Sequence, residues 1–347
     1  MVFMKESGIK GDTFQSLEGT RIMKINFRPQ AAWKGLGIRG MSVVDGTTAW
    51  LGLSQGKFAR TLDAGTTWQR ADVPGYPFLD FRSVKAFDQE TAVIASAGQP
   101  AVILKTRDGG FSWKEVFVDR TGTAFLDCLA FWDKAEGLAL GDPDGKGCYL
   151  LCTVDGGDNW NRIAPAMLPE MKDGEAFFAA SNTCLTTFGK DGVCFISGGS
   201  VSRVFWSEDR GSTWAVTDTP LLSGASSQGG FSIAVHGGIQ ACVVGGDYAQ
   251  DQVNSRTVAY TRDGNRNWLL AEVFPQGGYS SCVAYVPGTG GLVLIATGTR
   301  GTHLSRDGGS TWQQVDTEPF HVLGFDGIGR SGWAAGADGR VSRIEVV

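Results

Sequence analysis

Residues 305–315 read SRDGGSTWQQV. Asp307 is placed to accept backbone N–H groups two residues on, and Gly308-Gly309 supply the positive φ that a tight hairpin needs. Ser305 ends an incoming strand, and Trp312 starts an outgoing one that alternates in polarity. The same octet recurs as TLDAGTTW (61–68), TRDGGFSW (106–113), TVDGGDNW (153–160), SEDRGSTW (207–214) and TRDGNRNW (261–268), with Asn265 in a glycine place. Successive tryptophans lie 45, 47, 54, 54 and 44 residues apart. A period near 45 matches one four-stranded sheet per repeat, and radial repetition closes such sheets into a ring.

Composition agrees with that reading. Glycine occupies 50 of 347 positions against 11 prolines, which suits many tight turns. Two strand-like runs precede the boxes, such as AVIASAG and AVILKT before the second, and LVLIATG and THLSR before the sixth. After the last box only three more strands fit: FHVLGFD, SGWAAGA and GRVSRIEV. AAWKGLGIRG (31–40) mimics the segment after a box, with Trp33 in the tryptophan place. The expectation is an all-β fold, a seven-bladed β-propeller of four-stranded antiparallel blades whose last blade is closed by an N-terminal strand. Residues 1–20 are then an N-terminal extension, and 21–347 a single propeller domain.

Several function classes drop out. Net charge is −5, and no Lys/Arg run exceeds two residues, so nucleic acid is not an expected partner. MVFMKESGIKGDTFQ has no apolar core of signal-peptide length, and no stretch reaches membrane-span length. The chain reads as soluble, cytoplasmic as given or the mature form of an exported protein. Seven scattered cysteines read as small buried hydrophobes in a reducing setting. With no Cys-x-x-Cys or His-x-x-x-His and no Gly-rich strand–helix unit, neither a metal nor a cofactor is expected.

Chemistry is expected on the face opposite the boxes, where second-to-third-strand turns and blade-to-blade crossovers gather. IRGMSVVDGTTAW and FRSVKAFDQETAV align without gaps, placing Arg39 beside Arg82. LDCLAFWD puts Asp127 at the same level, and FHVLGFD puts His321 there. The remaining blades offer Asn182 (or Ser181), Ser232, and Ser280 or Ser281. GDPDGKG (141–147) adds Asp142, Asp144 and Lys146, while GGSVSR (198–203) adds Ser200 and Arg203. Asp247 and Tyr248 lie in the longest turn, Arg300 in GTRG, and Glu175 in the longest crossover. Two arginines among acids and a histidine point to an anionic or sugar-like ligand. Asp127, Glu175, His321 and Tyr248 are the proton-transfer candidates. Arg39, Arg82, Asp142, Asn182, Arg203, Asp247 and Arg300 are the binding candidates.

The repeated octet resembles the Asp-box of sialidases and related BNR-type propellers. Sialidases carry an arginine in a Phe/Tyr-Arg-Ile-Pro motif, whereas Phe27-Arg28-Pro29 lacks the isoleucine and falls in the closing strand. Whole blades, FRSVKAFDQETAV…KTRDGGFSWKEV and GWAAGADGRVSRIE, resemble photosystem II stability/assembly-factor-like propellers, in a bacterial subgroup. That resemblance implies a seven-bladed scaffold with a protein partner. Two readings therefore stand at this point. One is a cofactor-independent hydrolase or lyase acting on a small anionic or sugar-like substrate, and the other is a non-catalytic binding or assembly scaffold.

Overall fold

The computed structural model describes residues 24–272, 277–327 and 331–347. The expected 1–20 extension lies outside the described residues.

Seven antiparallel sheets succeed one another around a central channel. Blade 1 runs from the axis outward as Ile38–Val43, Ala49–Leu53, Lys57–Thr61 and Gln69–Asp72. Blades 2 and 3 repeat the pattern from Asp80–Ala86 and Leu126–Phe131, blade 4 from Leu185–Phe188. Blades 5 and 6 begin at Gln228–His236 and Ser280–Tyr285. Blade 7 holds Val322–Phe325, Ser331–Ala335 and Val341–Val346, and its fourth strand is Ile25–Ala31 from the other end of the chain. Trp33 follows that strand instead of opening it, and packs edge-on against Trp68 at 6.2 Å. Blade 5 departs from four strands: Glu175–Ala176 and Gly198–Gly199 extend its inner edge.

Burial explains the layering. Ala49–Leu53 is buried throughout, whereas the outer Gln69–Asp72 is exposed throughout. Inner strands press both faces against neighbouring blades, so they read as continuous apolar runs. Box tryptophans wedge between blades; Trp312 joins Cys242 and Val244 of blade 5 and Val283 and Leu294 of blade 6 in one cluster. All seven cysteines are free, six of them buried.

The octets form one hydrogen-bonded turn each. In the sixth, Gly309 N donates to Ser305 Oγ, Thr311 N and Oγ1 donate to the Asp307 carboxylate, and Trp312 Nε1 donates to Gly309 O at 2.9 Å. Gly309 adopts φ +97° and lies close against Tyr260, so a side chain there meets both strain and crowding. In the fifth octet Asn265 takes φ 69°, and its Oδ1 accepts the Trp268 indole N–H at 2.8 Å. An asparagine thus does both of glycine's jobs.

Candidate functional site

Innermost strands start at the face opposite the octets, and five of them slip by one residue against their neighbour near that start. The slips fall between Ile38 and Gly40, Phe81 and Ser83, Leu126 and Cys128, Gly230 and Ser232, and Ser280 and Cys282. A bulge leaves one residue unpaired and re-aims its side chain. Here those residues are Arg39, Arg82, Asp127, Phe231 and Ser281. In blade 5 the level belongs to Phe231, one position before the expected Ser232. The Ser232 hydroxyl turns between blades instead, accepting from Val283 N and meeting Thr183 Oγ1.

Blade 4 has a different entry, which the sequence did not reveal. Residues 176–183 cross the channel and close it like a plug. Arg39 Nη1 donates to Ala180 O at 3.0 Å, and Arg82 Nη1 to Ala179 O at 3.4 Å. Ser181 Oγ donates to Ser281 O; Asn182 accepts from Leu129 N at 2.9 Å and donates to Val84 O at 3.1 Å. Phe177 N donates to Asp142 Oδ1 at 2.8 Å. Five other blades hold one segment of backbone through these bonds and the one from Ile233 N to Thr183 O. Asn182, with φ 59°, is the plug residue whose side chain bridges blades 2 and 3.

Above the plug lies a cavity of about 550 Å³ lined by Arg39, Arg82, Asp142, Tyr248, Tyr279 and the Phe178–Ala180 backbone, with Asp127 at its buried wall. That volume suits a small ligand. Phe178 stacks on Phe231 at 4.0 Å, Tyr279 meets Phe231 edge-on at 4.8 Å, and Tyr248 stands edge-on to both phenylalanines. Tyr248 remains 54% exposed, the open side of an aromatic wall. Phe178, Phe231 and Tyr279 were missed in the sequence. Phe231 and Tyr279 share a signal, an aromatic at or near the start of an inner strand, whereas Phe178 lies in the crossover and has none.

Burial dominates the electrostatics. Asp127 is wholly buried, and its carboxylate has no well-formed hydrogen bond among the described residues, the Ala179 N–H being the backbone donor that faces it. Burial, then the neighbouring Asp142, pushes its carboxyl well above the usual range, with Arg82 pulling the other way. Asp142 is also pushed up by burial, opposed by the Phe177 N–H. Burial lowers Arg39, and the Tyr279 phenol facing it opposes that change. His321 is half-buried outside the cavity lining, and burial with Arg39 nearby pushes it down to about 4.

Other expected residues sit apart. Glu175 and Arg203 form a buried ion pair, with Arg203 Nε donating to Glu175 Oε1 at 2.9 Å and side chains 0% and 9% exposed. Ser197 Oγ and Lys172 N also donate to that carboxylate, fixing the long crossover to the blade 4 turn. The pair anchors the plug's root. Asp144 is held by both Arg162 terminal nitrogens, at 2.7 and 2.9 Å. Asp247 is buried and accepts from Ala249 N and Gln228 Nε2, anchoring the loop that carries Tyr248. Arg300 is exposed in a shallow depression with Gln314 and Thr317, which meets the cavity only at Thr299.

No family model and no curated relative matches the sequence. Among solved structures, YCF48 bound to D1 peptide superposes with TM-score 0.64 at 18% identity, over 92% of this chain and 96% of that one. The fold resembles that of YCF48. YCF48 from Cyanidioschyzon merolae gives TM-score 0.62 at 17% identity, covering 92% and 98% of the two chains. A GH74 xyloglucanase from Xanthomonas campestris gives TM-score 0.59 at 17% identity, with 92% of this chain on 53% of that one. At these identities the likeness is one of architecture, shared by a peptide binder and a glycoside hydrolase alike. No helix among the described residues is long and apolar enough to cross a membrane.

Proposed function

We propose that this propeller is a recognition protein whose plugged channel mouth receives a carboxylate-bearing ligand. The convergence of Arg39 and Arg82 on one aromatic-walled cavity carries the reading. Each guanidinium has five N–H donors, of which Arg39 directs some at Ala180 O and Tyr279 and Arg82 some at Ala179 O and Asp80, leaving donors for a ligand. Charge-assisted bonds from Arg39 would take the carboxylate, and Tyr248, Phe178 and Phe231 the adjoining apolar part. A YCF48 structure carries a peptide, which favours the chain end of a protein partner as the form of this ligand.

Most acid–base candidates argue against turnover. Asp127 has no exposed surface, Glu175 is locked to Arg203, and His321 lies off the cavity. Isothermal titration with short peptides ending in an aromatic residue tests the idea. Free-carboxylate forms should bind about tenfold tighter than amidated ones, and Arg39→Ala/Arg82→Ala should remove that preference. Equal binding of both forms would discard the assignment.

One observation favours the second reading, a hydrolase or lyase on a small anionic or sugar-like substrate. Asp142, whose carboxyl burial pushes above the ordinary range, shares the cavity with Tyr248. Turnover of a sugar or uronic-acid panel that disappears in Asp142→Asn and Tyr248→Phe supports it; no turnover with any panel member ends it.

A further inference from the structure

The plug that floors the candidate site also roofs a second cavity, of about 490 Å³, on the octet side of the channel. The two cavities share no lining residue. Three positions beyond the bulge level, Ser42, Lys85, Ala130, Thr186, Ala234 and Ala284 line this lower chamber. Five of the six are small, so the lysine alone at that level has the length to occupy the lumen.

Lys85 is half-buried and has no hydrogen-bond or ion-pair partner among the described residues. Among the described residues no Asp or Glu lines the chamber, and His236 and Tyr285 are its other ionisable groups. An ammonium partly withdrawn from water without a counter-charge is penalised, and an anion beside it offsets that penalty. Polar atoms are present but largely engaged: Ser42 Oγ accepts from Ala86 N, and Thr187 Oγ1 donates to Phe131 O. Among the described residues the chamber offers one lysine, the unpartnered Tyr285 hydroxyl, and small apolar walls from Ala130, Ala234, Ala284 and Pro287.

We propose that the lower chamber is a second ligand site, for a small monocarboxylate whose charge pairs with Lys85 and whose apolar part rests on the alanine-lined wall. A single ammonium, with no arginine among the described lining residues, matches one negative charge and offers no bidentate clamp for a phosphate.

Butyrate is the probe. Titration of the full chain followed by calorimetry should show saturable binding that persists in Arg39→Ala/Arg82→Ala and weakens about tenfold or more in Lys85→Met. Inorganic phosphate should bind more weakly than butyrate. In parallel, butyrate should slow acetylation of Lys85 by acetic anhydride, read by peptide mass spectrometry. That second measurement decides the matter if Lys85→Met does not fold. No saturable butyrate binding, binding lost with the top-face arginines instead of Lys85, phosphate binding as tightly, or an unchanged acetylation rate would each overturn the proposal.

Discussion

Asp127 is the residue whose environment fits its chemistry least. Its carboxyl is pushed far above the ordinary 3.8, so the folded chain holds that proton more tightly than the unfolded chain does. The stability it contributes is greatest at acid pH and is lost as pH rises from about 3.8 through the raised folded value. Asp127→Asn, which has no charged form, should raise Tm by about 2 °C or more at pH 8 and leave it unchanged at pH 4. Calorimetry at the two pH values checks this. His321 runs the other way. Its folded value of about 4 lies below the ordinary 6.5, so its contribution is intact above about 6.5 and is lost as pH falls toward 4. Since Arg39 is the main charge opposing its protonation, Arg39→Gln should move the His321 titration upward in an NMR pH series.

Among elements, the octet turn is the recurrent unit, and its aspartates are held by local bonds. Hydroxyl or amide donors at Ser112, Asn159, Thr213 and Asn267 hold Asp108, Asp155, Asp209 and Asp263 at about 2. Depressed carboxylates stabilise the fold above about 3.8, and that contribution is lost as pH falls toward 2. Acid unfolding should therefore concentrate in this window. Asp307→Ala removes the acceptor for Thr311 N and Oγ1, and should cost about 1–2 kcal/mol in denaturant unfolding. Asp307→Asn, which keeps one acceptor, should cost less.

For the whole molecule, closure depends on pairing the two ends of the described chain. Ile25–Ala31 runs antiparallel to Val341–Val346, Phe27 stacks on Phe320 at 5.6 Å, and Gln30 Oε1 accepts from Trp333 Nε1 at 2.9 Å. Pro29 is tolerated because this strand is an outer edge, and the register shifts beside it. Deleting residues through Ala31 should expose the Val341–Val346 edge, lower Tm by roughly 10 °C and broaden the transition. A truncated chain with unchanged Tm and elution volume would show that the ring does not need this strand.

Sequence alone determined the blade count, the closing strand and the face that carries Arg39, Arg82 and Asp142. These follow from local turn chemistry and from the alignment of one repeat with the next, both of which are written in order along the chain. Tertiary structure decided the rest. One-residue bulges exchanged Ser232 for Phe231, and the crossover through Ala179, Ala180 and Asn182 divided one channel into two cavities. It also withdrew Glu175 into an ion pair with Arg203 and sealed Asp127 from solvent. Such outcomes depend on partners distant in sequence, because a buried backbone or charge takes whatever hydrogen bonds the neighbouring blades bring within reach.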